Sequence, residues 1–145
     1  MLESHIEQGT DSWKAQRLGK VTASRVADVV AKTKSGWGAS RANYAAQLVA
    51  ERLTGEVAES YMNEAMQWGL DHEADAKSAY EFHRDCEIVP CGFIEHPNLN
   101  QTGASPDGLV AEDGQVEIKC PQTATHIETL KGRSVPSKYI MQIQW

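Results

Sequence analysis

The segment SPDGLVAEDGQVEIKC, residues 105–120, leaves this chain the fewest choices. Two apolar stretches flank a Glu112-Asp113-Gly114 turn signal, the pattern of a β-hairpin. Along its second strand Val116, Ile118 and Cys120 alternate with Glu117 and Lys119, so one face is apolar and the other charged. Loop length then decides where Asp107 goes. A two-residue Asp113-Gly114 turn sets Asp107 opposite Cys120, on the apolar face. A three-residue Glu112-Asp113-Gly114 loop, with its glycine left-handed, sets Asp107 opposite Lys119. An unpaired aspartate among apolar side chains is costly, so the odd-length loop is expected, and it gathers Asp107, Glu117 and Lys119 on one face.

A second carboxylate source lies upstream. Residues 63–83 carry Met66, Gly69, Ala76 and Tyr80 at helical spacing, and Glu73 completes that stripe. An inward carboxylate costs several kcal/mol unless a cation or strong donors meet it. A small rotation of the stripe toward Leu70 and Ala74 would leave Glu73 at the rim, and spacing alone leaves both arrangements open. Carboxylates from a hairpin and a helix form a hard-oxygen donor set suited to Mg²⁺ or Mn²⁺. A cation so held can polarise a phosphoryl oxygen and acidify a bound water, while Lys119 offsets charge that builds during phosphodiester hydrolysis. A surface ion pair on an exposed hairpin would use the same residue types.

At 145 residues and 16.0 kDa the chain is expected to form a single domain, residues 1–145, with one core. It contains no apolar run long enough to cross a bilayer and no secretory leader, so a cytoplasmic location is expected. Cys86, Cys91 and Cys120 are an odd set without a signal segment, which argues for thiols over disulfides. The series His83, Cys86, Cys91 and His96 lacks a tight Cys-x-x-Cys knuckle and straddles Pro90, so zinc is not expected. The net charge of −6 would discourage a polyanionic partner were it evenly spread. It is not. Between Ser12 and Ala50 stand Lys14, Arg17, Lys20, Arg25, Lys32, Lys34 and Arg41 against the single acid Asp28, so a local anion-binding surface fits an acidic whole.

The remaining elements are set by caps and breakers. Thr10 or Asp11 caps a short helix that Gly19 stops, and Thr22 or Ser24 starts another bearing Val26, Val29 and Val30. KTKSGWG is expected as a basic loop, in which Trp37 could touch nucleic acid. Ser40 is expected to cap a helix with Tyr44, Ala45, Leu48, Val49 and Leu53 inward, ended by Gly55. Cys86 to Ile94 has strand character, demoted to an edge or bulge by Pro90. THIETLKG and PSKYIMQIQW read as two further helices.

The spacing from Asp107, preceded by Pro106, through nine residues to Glu117-Ile118-Lys119 fits the PD-(D/E)xK nuclease signature. Together with WKAQRLGKVTAS, QWGLDHEADAK, SPDGL, EIKCP and YIMQIQ, it resembles the lambda-exonuclease type within the YqaJ-type viral recombinase family, from Gln8 onward. The resemblance implies an α/β, restriction-endonuclease-like core with a central mixed β-sheet flanked by helices. It further implies a Mg²⁺-dependent exonuclease, with Mn²⁺ able to substitute, that degrades the 5′-ended strand of duplex DNA and leaves a 3′ overhang. By the same likeness Asp107, Glu117, Glu73 and the Ile118 carbonyl would hold the metal, and Lys119 would be the catalytic lysine. Arg17, Ser24, Ser105 and Gln142 would hold a 5′-phosphate, and Trp13 would stack on a terminal base. Implied partners are double-stranded DNA ends, a single-strand annealing protein, and copies of the chain in a ring-shaped trimer, in a phage or prophage setting within a bacterial host. The family pattern continues past the glutamine-bearing helix, whereas this chain reads as ending before those C-terminal elements. Two other readings keep the same residues: an endonuclease or repair nuclease of the same superfold, and a catalytically inactive module binding DNA or a partner.

Overall fold

The computed structural model describes residues 6–58 and 61–145. Their elements run α1 (Asp11–Arg17), β1 (Val21–Thr22), a 3₁₀ turn (Ala23–Arg25), α2 (Val26–Val30), β2 (Lys32–Thr33), β3 (Gly36–Trp37) and α3 (Ala39–Thr54). The chain continues through α4 (Glu64–Arg84), β4 (Ile94–Glu95), β5 (Thr102–Ala104), β6 (Gly108–Val110), β7 (Gly114–Val116), α5 (Thr123–Gly132) and α6 (Ser137–Ile143). These elements gather into two compact units. The first holds α1 to α3, β1 to β5 and α6; the second holds α4, β6, β7 and α5.

In the first unit the sheet is mixed, in the order β1-β5-β4. β1 runs parallel to β5, with Val21 beside Thr102, and β4 antiparallel to it, with Ile94 beside Ala104. This is the α/β class with a mixed sheet that the sequence led us to expect. α1 starts where the Thr10 hydroxyl accepts the Trp13 amide at 3.3 Å, satisfying an end group that helices leave open. The basic KTKSGWG segment is not a plain loop. It folds into a minimal antiparallel hairpin, β2 on β3, that sets Lys32 opposite Trp37. The Trp37 ring, more than half exposed, has Lys32 Nζ at 5.0 Å and Arg41 Cζ at 3.9 Å from its centre. These cation–π contacts favour the hairpin over an open loop.

α3 begins one residue before the expected Ser40 cap, with Gly38 in the capping position. Its inner face is also rotated from expectation: Tyr44 and Glu51 are buried, while Val49 and Leu53 are exposed. Polar chemistry explains that rotation. The Tyr44 hydroxyl accepts the Thr22 amide at 3.2 Å and donates to the Lys20 carbonyl at 3.4 Å, tying α3 to β1.

In the second unit α4 opens on Asn63, whose side chain accepts the Met66 amide at 2.9 Å. Gly69, Glu73, Ala76 and Tyr80 make its partly covered face, and Leu70 and Ala74 are exposed. The alternative rotation, with Glu73 at the rim, is thereby set aside. Met66, expected in the stripe, is exposed. The expected strand over Cys86–Ile94 does not form as one piece. Pro90 interrupts it: Val89 bridges Leu109 through two 2.8 Å hydrogen bonds in this unit, while Ile94–Glu95 belongs to the first unit's sheet.

The hairpin β6–β7 pairs Gly108 with Val116, Leu109 with Gln115 and Val110 with Gly114. Its loop is three residues long, as expected, but it is Ala111-Glu112-Asp113, one position earlier than the sequence suggested. Extending that register places Asp107 opposite Glu117 rather than Lys119. The face is unchanged, because odd loop length preserves alternation. Ala111, not Gly114, takes the left-handed backbone, at φ 55°. Gly114 serves a different need: a Cβ there would stand 2.5 Å from the Val110 carbonyl oxygen, so only glycine lets the first ladder pair close.

Candidate active site

The ladder ends at Val116, four residues sooner than the alternation through Cys120 suggests, and a side chain organises the residues beyond it. Asp107 donates its backbone N–H to the Val116 carbonyl at 3.1 Å. Its carboxylate Oδ2 accepts the Ile118 N–H at 2.5 Å, where the next strand carbonyl would otherwise stand. The Asp107 carboxylate is therefore fixed by the hairpin's own hydrogen bonding and is kept off the apolar face.

Charge collects around it. Burial, and then the negative charges of Glu117 and Glu73, raise the Asp107 carboxyl from an ordinary 3.8 to about 6; the Ile118 amide and the Lys119 ammonium oppose them. Glu73, Asp107, Glu117 and Lys119, drawn from α4 and the two arms of the hairpin, thus act on one another electrostatically within the second unit. Cys120, next in sequence, feels the same field: burial first, then Glu73 and Asp107, push its thiol up.

The carboxylates do not form a ready-made cage. Among the described residues, no three His, Cys, Asp or Glu side chains stand close enough to hold an ion as they are. Two of the carboxylates are instead paired with lysines. Glu73 Oε1 pairs with Lys77 Nζ at 2.7 Å, one helical turn on, and Glu117 pairs with Lys119. Each lysine neutralises an oxygen that a cation would otherwise claim. The donor set still fits a hard divalent ion: it is all carboxylate, with more negative charge around Asp107 than Lys119 offsets, and neither Glu73 nor Glu117 is buried beyond rotation. Lys77 was missed in the sequence, although its four-residue spacing from Glu73 is the usual signal for such a helical pair.

In the first unit, Trp13, Arg17 and Ser105 come together. The Trp13 indole N–H donates to Ser105 Oγ at 3.0 Å, leaving the hydroxyl's own hydrogen to be donated elsewhere. The Arg17 guanidinium stacks on the Trp13 ring, Cζ 3.9 Å from its centre. Trp13 therefore carries Arg17 on one face and orients Ser105 with its edge. Among the described residues Arg17 makes no ion pair; Asp11, a candidate partner, pairs with Lys14 at 3.3 Å instead. Burial lowers the Arg17 pKa, with Tyr44 and Glu51 opposing, yet arginine stays ionised throughout the working range. The result is a half-buried cation that is in no ion pair among the described residues, an arrangement matched to a bidentate anion.

Ser24 sits exposed on the 3₁₀ turn, its hydroxyl 3.2 Å from Thr22 Oγ1. Gln142 is half-buried on α6, which packs against α2 and that turn; β5 also packs against the turn. Gln144, two residues on, is exposed.

Residues 12–145 match the family model described as a YqaJ-like viral recombinase domain. The crystal structure of LHK-Exo in complex with dAMP is 50% identical to this chain, with a TM-score of 0.84 over 93% of this chain and 66% of that one. A crystal structure of an alkaline exonuclease, LHK-Exo from Laribacter hongkongensis, is 49% identical, with a TM-score of 0.82 over 92% and 64%. This chain thus spans just under two thirds of the length of those structures. A comparison with curated proteins found no match.

Proposed function

This chain belongs to the YqaJ-like viral recombinase family, and from that premise we propose that it is a metal-dependent deoxyribonuclease, an exonuclease that hydrolyses the 5′-ended strand of duplex DNA. The observation that carries the reading is the Asp107 carboxylate, held by the Ile118 amide and surrounded by Glu117, Glu73 and Lys119. Asp107, Glu117 and Glu73, with the Ile118 carbonyl, would hold the cation, Mg²⁺ or Mn²⁺. When bound, such an ion supplies Lewis-acid polarisation of the scissile phosphate and acidifies a water.

The chain's own groups do the rest. Asp107 stays in place through its backbone bond. Lys119, once turned from Glu117, hydrogen-bonds the attacking water or the phosphoryl oxygens as negative charge grows on them. Arg17, Ser105, Ser24 and Gln142 are assigned to the terminal 5′-phosphate, the arginine as a two-pronged donor and the others as neutral ones. Trp13 keeps the first two oriented.

The test uses linear duplexes with 5′-phosphate or 5′-hydroxyl ends and a closed circular duplex, each with Mg²⁺, Mn²⁺ or chelator. Metal-dependent loss of the linear phosphorylated substrate from its 5′ ends is the expected result. Cutting of circles would instead assign an endonuclease, and binding without cleavage at any metal concentration would remove the enzymatic reading.

A further inference from the structure

Glu51 is 6% exposed and carries a charge that the cleavage reading does not use. Its Oε2 accepts the Gly19 N–H at 2.8 Å; its Oε1 accepts Gln47 Nε2 at 2.8 Å and the Ala58 amide at 3.4 Å. The next residue of α3, Arg52, donates Nε to the Gly19 carbonyl at 2.8 Å. Consecutive side chains of a 16-residue helix thus hold both polar groups of one glycine. That glycine ends α1, at φ 64°, and a Cβ on it would fall 2.5 Å from Arg52 Cγ.

α1 has only seven residues, too few to be stable alone, so where it stops is set from outside. Arg17 is its last residue. A neutral glutamine could also accept the Gly19 amide, whereas a buried carboxylate without an ion-pair partner costs several kcal/mol. Among the described residues Glu51 has no such partner. Its charge acts on Arg17 at longer range, opposing the desolvation of the guanidinium.

We propose that Glu51 is a positioning residue for the phosphate-holding Arg17: it fixes the end of α1 through Gly19 and balances the guanidinium's charge without occupying its donors. Arg52 is the second half of the same clamp. The proposal rests on the reading of Arg17 as the 5′-phosphate ligand.

The experiment measures equilibrium binding of short duplexes carrying a 5′-phosphate or a 5′-hydroxyl, in Ca²⁺ to slow turnover, for the parent, Arg17→Ala, Glu51→Gln and Arg52→Met. The quantity read is the ratio of the two affinities, from which any uniform loss of folded protein cancels. Glu51→Gln is expected to reduce the phosphate preference about tenfold, and Arg52→Met, at an exposed position, about threefold. An unchanged ratio in Glu51→Gln, with Arg17→Ala flattening it, overturns the positioning role of Glu51 while the phosphate reading stands. A parent without preference, or an Arg17→Ala variant that keeps it, overturns the phosphate reading and this proposal with it.

Discussion

Replacing Asp107 by asparagine should stabilise the metal-free protein while ending its proposed chemistry. Burial and two neighbouring glutamates raise the carboxyl from 3.8 to about 6. The folded state therefore holds this proton more tightly than the unfolded chain. By linkage, the favourable contribution is fully present below about pH 4 and is lost as pH rises through about 6. A gap of about two pH units is worth ~3 kcal/mol at 1.36 kcal/mol per unit. The carboxylate is only half-buried and solvent screens it, and the asparagine forfeits a charge-assisted bond to Ile118, so about 1–2 kcal/mol should remain. At this chain length that corresponds to a melting temperature roughly 3–8 °C higher. The assay is thermal unfolding with chelator at pH 4 and pH 8, wild type against Asp107→Asn. The gain should appear at pH 8 and vanish at pH 4. Adding Mn²⁺ should reverse the order at pH 8, since ligand at a hundred times its Kd stabilises a binding-competent protein by about 2.7 kcal/mol and only the wild type would bind well. An equal gain at both pH values, or a loss at pH 8, would refute the charge crowding on which the candidate metal site depends.

The same geometry sets three further outcomes. Lys119→Ala should lower the cleavage rate about 10²–10³-fold with DNA affinity nearly unchanged, checked by single-turnover kinetics beside a binding titration, because its interaction strengthens as charge develops. Arg17→Ala should reduce the preference for a 5′-phosphorylated over a 5′-hydroxyl duplex about 10–100-fold, measured by competition between the two ends. Lys77→Met should release Glu73 and tighten Mn²⁺ binding by a factor of about five or less, the worth of a partly exposed ion pair, as read by calorimetry.

Much of the candidate site is legible in the sequence because strand geometry leaves little freedom. The odd loop and the shared face of Asp107, Glu117 and Lys119 come from alternation together with the cost of burying an unpaired aspartate, while helical spacing offers the placement of Glu73 on the covered face as one of two arrangements. The exact register was not legible. Glycine is the usual left-handed loop residue, so Gly114 drew that role in the sequence, while the structure uses it for close approach to Val110 and lets Ala111 turn the chain. The inner face of α3 was misread for a different reason: Val49 and Leu53 are apolar, yet hydrogen bonds that Tyr44 and Glu51 accept from distant backbone amides set the helix's rotation. Such partners lie more than twenty residues away and leave no local periodic trace. The lysine partners of Glu73 and Glu117 were within reach of spacing rules, but spacing cannot tell a resting ion pair from a coordinating carboxylate.

The way the Asp107 side chain stands in for a missing ladder carbonyl limits how the hairpin can vary between homologous or engineered sequences. With a three-residue loop kept, deleting one residue between Val110 and Gly114 would send every later side chain to the opposite face and put Ile118 where Glu117 belongs. Gains or losses in pairs would leave the carboxylates aligned. Library design at this tip should therefore vary length two codons at a time.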